Sequence, residues 1–155
     1  MGAGILPVTI IKGTIFFLLG RERSNNYWCD FGGSSYINEP VFDTAIREGY
    51  EELDGLLGDV DELKSLVKRN YITYCKTDRY TTHIFFVNPS ILYNLPYYFN
   101  NHRNFINNEI EYNNINKDGY FEKSEVRLFS KNCLLKNMNE IRPFYREIVK
   151  ELLEI

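Results

Sequence analysis

Three glutamates stand close together in the first third of the chain, Glu48, Glu51 and Glu52, at positions i, i+3 and i+4. On a helix these positions share one face, so the three carboxylates would lie within one turn of each other. Like charges at this spacing repel, and burial of apolar surface does not explain them. A divalent cation such as Mg²⁺ does, because it binds carboxylate oxygens and keeps positions open for substrate phosphate oxygens.

Two neighbouring features could complete such a site. Arg47 precedes Glu51 by four residues and could fix its rotamer by a charged pair. The Gly32-Gly33 turn lets the backbone come close, so that its carbonyls could add a metal ligand. An acidic helix face is often only solvated surface, and the segment REGYEEL alone is compatible with either interpretation.

The wider spacing favours the metal site. Gly33 is followed after five residues by Glu39, and seven further residues lead to Arg47-Glu48 and then Glu51-Glu52. This arrangement resembles the Nudix hydrolase box, G-x5-E-x7-R-E-U-x-E-E-x-G-U, where U is bulky and aliphatic. The flanking segments AGILPVTIIKGTIFFLLGRER, WCDFGG and EKSEVRLFS resemble the strands around the box in that family.

The chain departs from the box pattern at two places. Gly49 stands where an aliphatic residue is usual, and a glycine inside a helix costs up to about 1 kcal/mol relative to alanine, so we expect close packing there. Asp54 stands in place of the box glycine, and Gly55 follows it. We interpret this as a helix that is one residue longer.

The resemblance implies hydrolysis of a diphosphate bond in a nucleoside diphosphate linked to another moiety, with Mg²⁺ or Mn²⁺ as cofactor. It implies that Glu48, Glu51, Glu52 and the Gly32 carbonyl bind metal. Glu39 and Arg47 would orient those ligands. Glu51, Glu52 and Arg47 would then act in catalysis.

A further acid is expected from outside the box, because members of the family often supply one from the loop or strand that faces the box helix. Strand alternation puts Glu125 and Arg127 on one face, so Glu125 is the first candidate for this catalytic role. Glu122 is the lesser candidate, and Glu109 and Glu111 come after it.

Substrate contacts are predicted from the residues around the second strand and the turn. Arg21 and Arg23 could meet a distal phosphate, and Trp28 could stack on a base, although a tryptophan beside a strand is more often core. Four aromatic residues could cover the pocket mouth or build a homodimer interface; they are Tyr93, Tyr97, Tyr98 and Phe99.

Composition is that of one globular domain over residues 1–155, with 44% hydrophobic and 25% charged residues. A net charge of −3 argues against a broad basic face that binds nucleic acid unaided. Free thiols in an intracellular, cytoplasmic protein are the simplest interpretation of the three scattered cysteines. No apolar run approaches the length of a membrane span. The abundance of Asn, Ile and Tyr fits AT-rich coding, as in an AT-rich organism or a virus.

The order of elements predicts an α/β fold, and the resemblance implies a Nudix-like α/β/α sandwich with a mixed sheet between helices. We expect strands within Ala3–Leu19, Tyr71–Tyr74, Thr81–Val87 and Glu125–Ser130, a loop over Gly20–Asn26, and helices over Pro40–Gly55 and Ile141–Leu153. Pro40 would lie in the first helical turn with Asn38 or Glu39 as cap. Ser90–Asp118 is expected to be a long loop, with room for a short helix.

Three functions follow in order of preference. The first is hydrolysis of a small nucleotide such as ADP-ribose, a dinucleoside polyphosphate or a modified triphosphate. The second is hydrolysis of capped RNA or of an inositol pyrophosphate; decapping members usually carry an extra helical or basic region that this chain lacks. The third is a non-catalytic binding module, and retention of the box glutamates argues against it.

Overall fold

A seven-stranded mixed sheet forms the centre of the protein, in a computed structural model that describes residues 1–109 and 121–155. The strands are β1 Gly2–Ile11, β2 Thr14–Glu22, β3 Trp28–Cys29, β4 Phe31–Ser34, β5 Tyr71–Lys76, β6 Tyr80–Phe86 and β7 Lys123–Ser130. The helices are α1 Val41–Glu52, α2 Val60–Arg69, α3 Pro89–Leu92, α4 Leu95–Glu109, α5 Lys131–Lys136 and α6 Arg146–Leu152. Short 3₁₀ turns occupy Met138–Glu140 and Pro143–Tyr145.

Strand β1 organises the sheet. It pairs in parallel with β6 along one edge. On the other edge its second half pairs with β2 and its first half with β4, both antiparallel. Strand β2 also pairs with β3 and β7. The glycines of β4 are therefore held beside the start of β1.

Helices cover both faces of the sheet, as the sequence predicts. One core joins the sheet to α1, α2, α3 and α4, with Ile5, Phe31 and Phe85 at its centre. The other core joins the sheet to α5 and α6, with Trp28 and Phe129 at its centre. Because each face is apolar, alternate residues of the strands are buried on opposite sides.

The predicted box helix is present with different ends. It begins at Val41 with Pro40 as its N-cap residue, and no side chain caps it. It ends at Glu52, and Asp54 and Gly55 both have positive φ, 54° and 69°, so the helix is not longer than the box pattern implies. Gly49 packs against Ile5, because a Cβ on Gly49 would lie 2.4 Å from Ile5 Cδ1. The expected close contact at Gly49 is confirmed.

Other predicted boundaries change. Strand β2 continues to Glu22, into the expected loop, because Gly20 and Arg21 pair with β3 and β7. The segment expected as a long loop contains the fifteen-residue helix α4, which buries Leu95, Phe99 and Ile106 despite its many Asn and Tyr residues. The final helix begins only at Arg146, after Pro143 and a 3₁₀ turn.

Cys29, Cys75 and Cys133 are free thiols, as predicted. Of the helices in the described ranges, none has the length and apolarity that a membrane crossing requires.

Candidate active site

The two glycines of strand β4, Gly32 and Gly33, lie close to different side chains on opposite sides of the strand. A Cβ on Gly33 would lie 2.6 Å from the carboxyl carbon of Glu48, so only glycine allows this side chain of α1 to rest on the strand. A Cβ on Gly32 would lie 2.0 Å from the hydroxyl oxygen of Tyr80, on the opposite side. Gly32 and Gly33 thus lie within strand β4 and not in the predicted turn, and the strand backbone lies against the acidic helix on one side and against a tyrosine on the other.

Arg47 is the centre of the hydrogen bonds at the start of α1. Its Nε and Nη2 donate to the two carboxylate oxygens of Glu39, each at 2.9 Å, and Nη1 donates to Glu48 Oε1 at 2.8 Å. Nη2 also donates to the Ser34 carbonyl at 3.1 Å. The predicted partner Glu51 is only a marginal one, 4.0 Å from Nη1. Arg47 therefore orients Glu48 more directly than Glu51.

Glu39 is held from three sides. Besides Arg47, its Oε1 accepts a hydrogen bond from the Thr44 hydroxyl at 2.7 Å and one from the Tyr36 backbone N–H at 3.1 Å. The hydrogen bonds from Arg47 are the largest of several contributions that lower the pKa of Glu39 to about 2. Glu39 is consequently ionised at neutral pH and fixes the guanidinium.

The three glutamates of α1 differ in exposure. The Glu51 side chain is 42% exposed, whereas Glu52 is only 5% exposed. Burial raises the pKa of Glu48, against hydrogen bonding and attraction from Arg47, and it raises the pKa of Glu52 well above its usual value. Oε1 of Glu52 is buried and has no hydrogen-bond partner among the described residues.

A buried lysine interacts electrostatically with Glu52. Lys123, the first residue of β7, is 1% exposed, and its stem crosses Gly20, where a Cβ would lie 2.7 Å from Lys123 Cδ. Burial disfavours its charge, but attraction to Glu52 and to Glu22, whose Oε1 is 3.7 Å from Nζ, leaves the pKa of Lys123 raised. The lysine is charged and favours the ionised form of Glu52.

Among the acids considered outside the box, Glu122 interacts electrostatically with the box glutamates. Its negative charge contributes to the raised pKa of both Glu48 and Glu52, after burial. Glu122 is exposed and immediately precedes Lys123.

Glu125, the first candidate from the sequence, has different surroundings. Val126 and Leu128 pack in the core beneath α1, so alternation turns Glu125 to the opposite face of the sheet. There Glu125 Oε1 accepts a hydrogen bond from Arg21 Nη1 at 3.1 Å. Glu125 therefore lies on the face of the sheet that is turned away from α1. Glu111 lies outside the described residues, as does the side chain of Glu109.

The donors fit a divalent cation in chemical type. Carboxylates and a glycine carbonyl are the hard oxygen ligands that Mg²⁺ and Mn²⁺ prefer, and the unpartnered Glu52 oxygen is a buried acceptor without a donor. Within residues 1–109 and 121–155, no three His, Cys, Asp or Glu side chains converge in a ready metal-binding arrangement.

A cavity of about 630 Å³ opens on the other side of the glycine strand. Its lining includes Gly32, Gly33, Ser34, Arg79, Tyr80, Arg142 and Phe144. The rings of Tyr80 and Phe144 meet edge to face at 5.1 Å between centroids. Arg142 Nη1 donates to Glu22 Oε1 at 2.7 Å, and the same oxygen faces Lys123. The cavity and the acidic helix therefore share the backbone of β4.

Beside this cavity lies a buried carboxyl group that the sequence did not single out. The Tyr80 hydroxyl donates to Asp30 Oδ1 at 2.6 Å, and the Thr82 hydroxyl donates to Oδ2. Burial raises the pKa of Asp30 to about 6, although these hydrogen bonds and the nearby Lys123 lower it. Asp30 thus titrates close to neutral pH.

The predicted substrate residues are dispersed. Trp28 is 3% exposed and packs edge to face on Phe129 at 5.0 Å, so it is a core residue. Arg21 binds Glu125, and Arg23 Nε donates to the Phe121 carbonyl at 3.0 Å. Phe99 is buried, unlike the exposed Tyr93, Tyr97 and Tyr98, so it belongs neither to a pocket mouth nor to an interface.

Neither a family model nor a curated protein matches the chain. Solved structures do resemble it in fold. One is a C. elegans Ap4A hydrolase binary complex, with TM-score 0.57 and 13% identity over 98% of this chain and 95% of that chain. Another is RenU, a Nudix hydrolase from M. smegmatis, with TM-score 0.56 and 14% identity over 99% and 83%.

A third similar structure is a larger protein from Francisella tularensis, a bifunctional NMN adenylyltransferase/ADP ribose pyrophosphatase complexed with AMP and a Mn ion. The TM-score is 0.59 and the identity 15%, over 98% of this chain and 41% of that chain. These similarities extend over nearly the whole chain. The protein therefore has the α/β fold of solved Nudix hydrolases, a mixed sheet between helices.

Proposed function

We propose that the protein is a metal-dependent hydrolase that cleaves a diphosphate bond in a nucleoside diphosphate linked to another moiety. One observation carries the proposal: Glu48, Glu51 and Glu52 lie on a helix against a two-glycine strand whose other side borders a cavity of about 630 Å³. A diphosphate on the acidic side would leave the rest of the substrate within reach of that cavity. Its volume is within the ordinary range for small-molecule sites.

The metal ligands in this proposal are Glu48, Glu51, Glu52 and the Gly32 carbonyl. Mg²⁺ or Mn²⁺ bound there would neutralise charge on the diphosphate oxygens and lower the pKa of an attacking water. Hydrolysis would then be in-line attack of water on phosphorus, a reaction helped chiefly by positioning and by charge stabilisation.

The chain's own residues prepare this step. Glu39 fixes Arg47, and Arg47 fixes Glu48, so the helix presents its first ligand in one orientation. The charge of Lys123 favours the ionised form of the buried Glu52, against the larger effect of burial, which raises the pKa of Glu52. Glu122 is exposed beside these carboxylates, and we assign to it the acceptance of a proton from the attacking water.

The cavity supports a substrate with a ring and a further anionic group. Tyr80 and Phe144 offer aromatic surface, and Arg79 and Arg142 offer positive charge. ADP-ribose, dinucleoside polyphosphates and modified triphosphates have both features. Capped RNA and inositol pyrophosphates share the anionic groups, and we keep them as alternative substrates.

A panel of these compounds tests the proposal. The purified chain is incubated with each in Mg²⁺ and, separately, in excess chelator, and the products are identified by mass spectrometry. We expect two phosphorylated fragments from at least one nucleotide, with Mg²⁺ only. The control for Glu51→Gln is Glu140→Gln, which changes an exposed acid in the 3₁₀ turn Met138–Glu140. Binding without turnover of any compound would instead indicate a non-catalytic module.

A further inference from the structure

The residue that replaces the box glycine has a partner of its own. Asp54 adopts φ of 54° just after α1, a left-handed conformation that costs aspartate more free energy than glycine. Its carboxylate accepts hydrogen bonds from both terminal nitrogens of Arg103, with Nη2 at 3.2 Å from Oδ1 and Nη1 on Oδ2. The backbone cost at Asp54 is thus accompanied by a bidentate ion pair.

Arg103 is one of the most deeply buried side chains in the protein, at 1% exposure. Its guanidinium lies between two rings, 4.3 Å from the centroid of Phe99 and 4.9 Å from that of Phe121. Its remaining donor, Nε, reaches the Lys123 carbonyl at 2.6 Å. One side chain of α4 therefore joins the end of α1 to the start of β7.

The two ends that Arg103 joins carry the residues of the candidate site. Asp54 lies two positions after Glu52, and Lys123 directly follows Glu122. We propose that Asp54 and Arg103 are positioning residues that set the acidic face of α1 against Glu122 and Lys123. This inference rests on the proposed function, because it assigns the Asp54–Arg103 ion pair to the same metal site.

Two variants distinguish a role of Asp54 in ending helix α1 from a role in positioning the site. Asp54→Gly keeps the positive φ and improves the helix end, but it leaves Arg103 buried without its carboxylate. The double variant Asp54→Gly/Arg103→Met removes both charges and fills the space between the rings. Replacing a buried ion pair by apolar groups often preserves folding, so this variant separates positioning from stability.

Steady-state kinetics, which gives kcat and KM, and three further measurements on the full chain decide the matter. Thermal unfolding without metal reports stability, electron paramagnetic resonance of Mn²⁺ reports the metal dissociation constant, and hydrogen exchange reports opening of residues 121–126. We expect the double variant to melt near the parent. We expect its Mn²⁺ dissociation constant to rise and its kcat to fall by roughly tenfold or more, the scale for residues that support metal ligands. KM for the nucleotide should stay nearly constant, and exchange at residues 121–126 should increase.

A folded double variant with parental Mn²⁺ affinity, kcat and exchange would overturn the inference. If the double variant does not fold, Asp54→Asn gives the decision, because it keeps size and loses the charge; parental Mn²⁺ affinity there would also overturn it. A parent that hydrolyses no nucleotide would refute the proposed function. An active parent whose variants keep the parental Mn²⁺ affinity, kcat and exchange would refute only the positioning role of Asp54 and Arg103.

Discussion

Arg47 and Glu39 form a bidentate ion pair, in which Nε donates to Oε2 and Nη2 donates to Oε1, each at 2.9 Å. The pair connects the loop before α1 to the helix that carries the acidic face. Because the pKa of Glu39 is lowered to about 2, the pair stabilises the fold fully above the usual pKa of 4.5. That contribution is lost as the pH falls from 4.5 toward 2.

Arg47→Lys should therefore reduce both stability and activity. Lysine keeps the charge but cannot donate the two parallel hydrogen bonds, so Glu48 loses its fixed orientation. We expect kcat to fall by roughly tenfold or more and the Mg²⁺ concentration for half-maximal activity to rise. Steady-state kinetics over a Mg²⁺ titration measures both. Unchanged kinetics would mean that Glu48 is oriented without Arg47.

Removal of charge from the acidic face should affect chemistry most. Glu51→Gln and Glu52→Gln keep the size of the side chain and should each lower kcat by about 10²-fold or more. Glu52→Gln also leaves Lys123 with one carboxylate fewer, so its melting temperature should change more than that of Glu51→Gln. Glu140→Gln is the matched control. Near-normal turnover in both site variants would show that the acidic face is solvated surface.

The further acid can be identified by single substitutions. Glu122→Gln should lower kcat at saturating Mg²⁺ because the glutamine amide cannot accept the proton that we assign to Glu122. Glu125→Gln should have a small effect, since Glu125 binds Arg21 on the other face of the sheet.

Glu109→Gln and Glu111→Gln complete this series. A loss of kcat confined to Glu125→Gln would support the sequence-based assignment. A loss of kcat confined to Glu109→Gln or to Glu111→Gln would assign the further acid to that residue. Four neutral variants would leave the chemistry to the box glutamates.

Stability should fall as the pH rises through the range in which Asp30 ionises. Its pKa is 3.8 in an unfolded chain and about 6 when buried, so the folded state retains the proton more strongly between these values. The free energy of unfolding of the parent should decrease from about pH 4 to pH 6, and Asp30→Asn should decrease less over that range. Denaturant unfolding at several pH values measures both slopes. Equal slopes would indicate that Asp30 is already ionised in the folded protein at pH 4.

Local pattern was sufficient for the box region. The helical spacing of the glutamates and the apolar alternation of β1 and β2 are each encoded within a few residues, and the structure places them as predicted. The same holds for Gly49, whose presence in a helix indicates a close neighbour and whose neighbour is Ile5.

Long-range contacts were beyond sequence reasoning. Arg103 contacts Asp54 across 49 residues, and Lys123 on β7 interacts electrostatically with Glu52 on α1. Helix α4 is longer than the short helix that the sequence allowed, because Asn and Tyr have low helix propensity, while burial of Phe99 and its apolar neighbours stabilises the helix in the folded chain. Glu125 was preferred to Glu122 because alternation defines two faces and does not say which face carries the site.

Hydrolysis in ¹⁸O-labelled water tests the central claim most directly. The parent is incubated with Mg²⁺ and the nucleotide of the panel that it hydrolyses fastest, and the masses of the phosphorylated products are measured by mass spectrometry. Attack of water on phosphorus predicts one ¹⁸O in one of the two products, abolished by exhaustive chelation and reduced by about 10²-fold in Glu52→Gln. Product formation that persists after chelation, or products whose phosphates contain no ¹⁸O, would contradict the account.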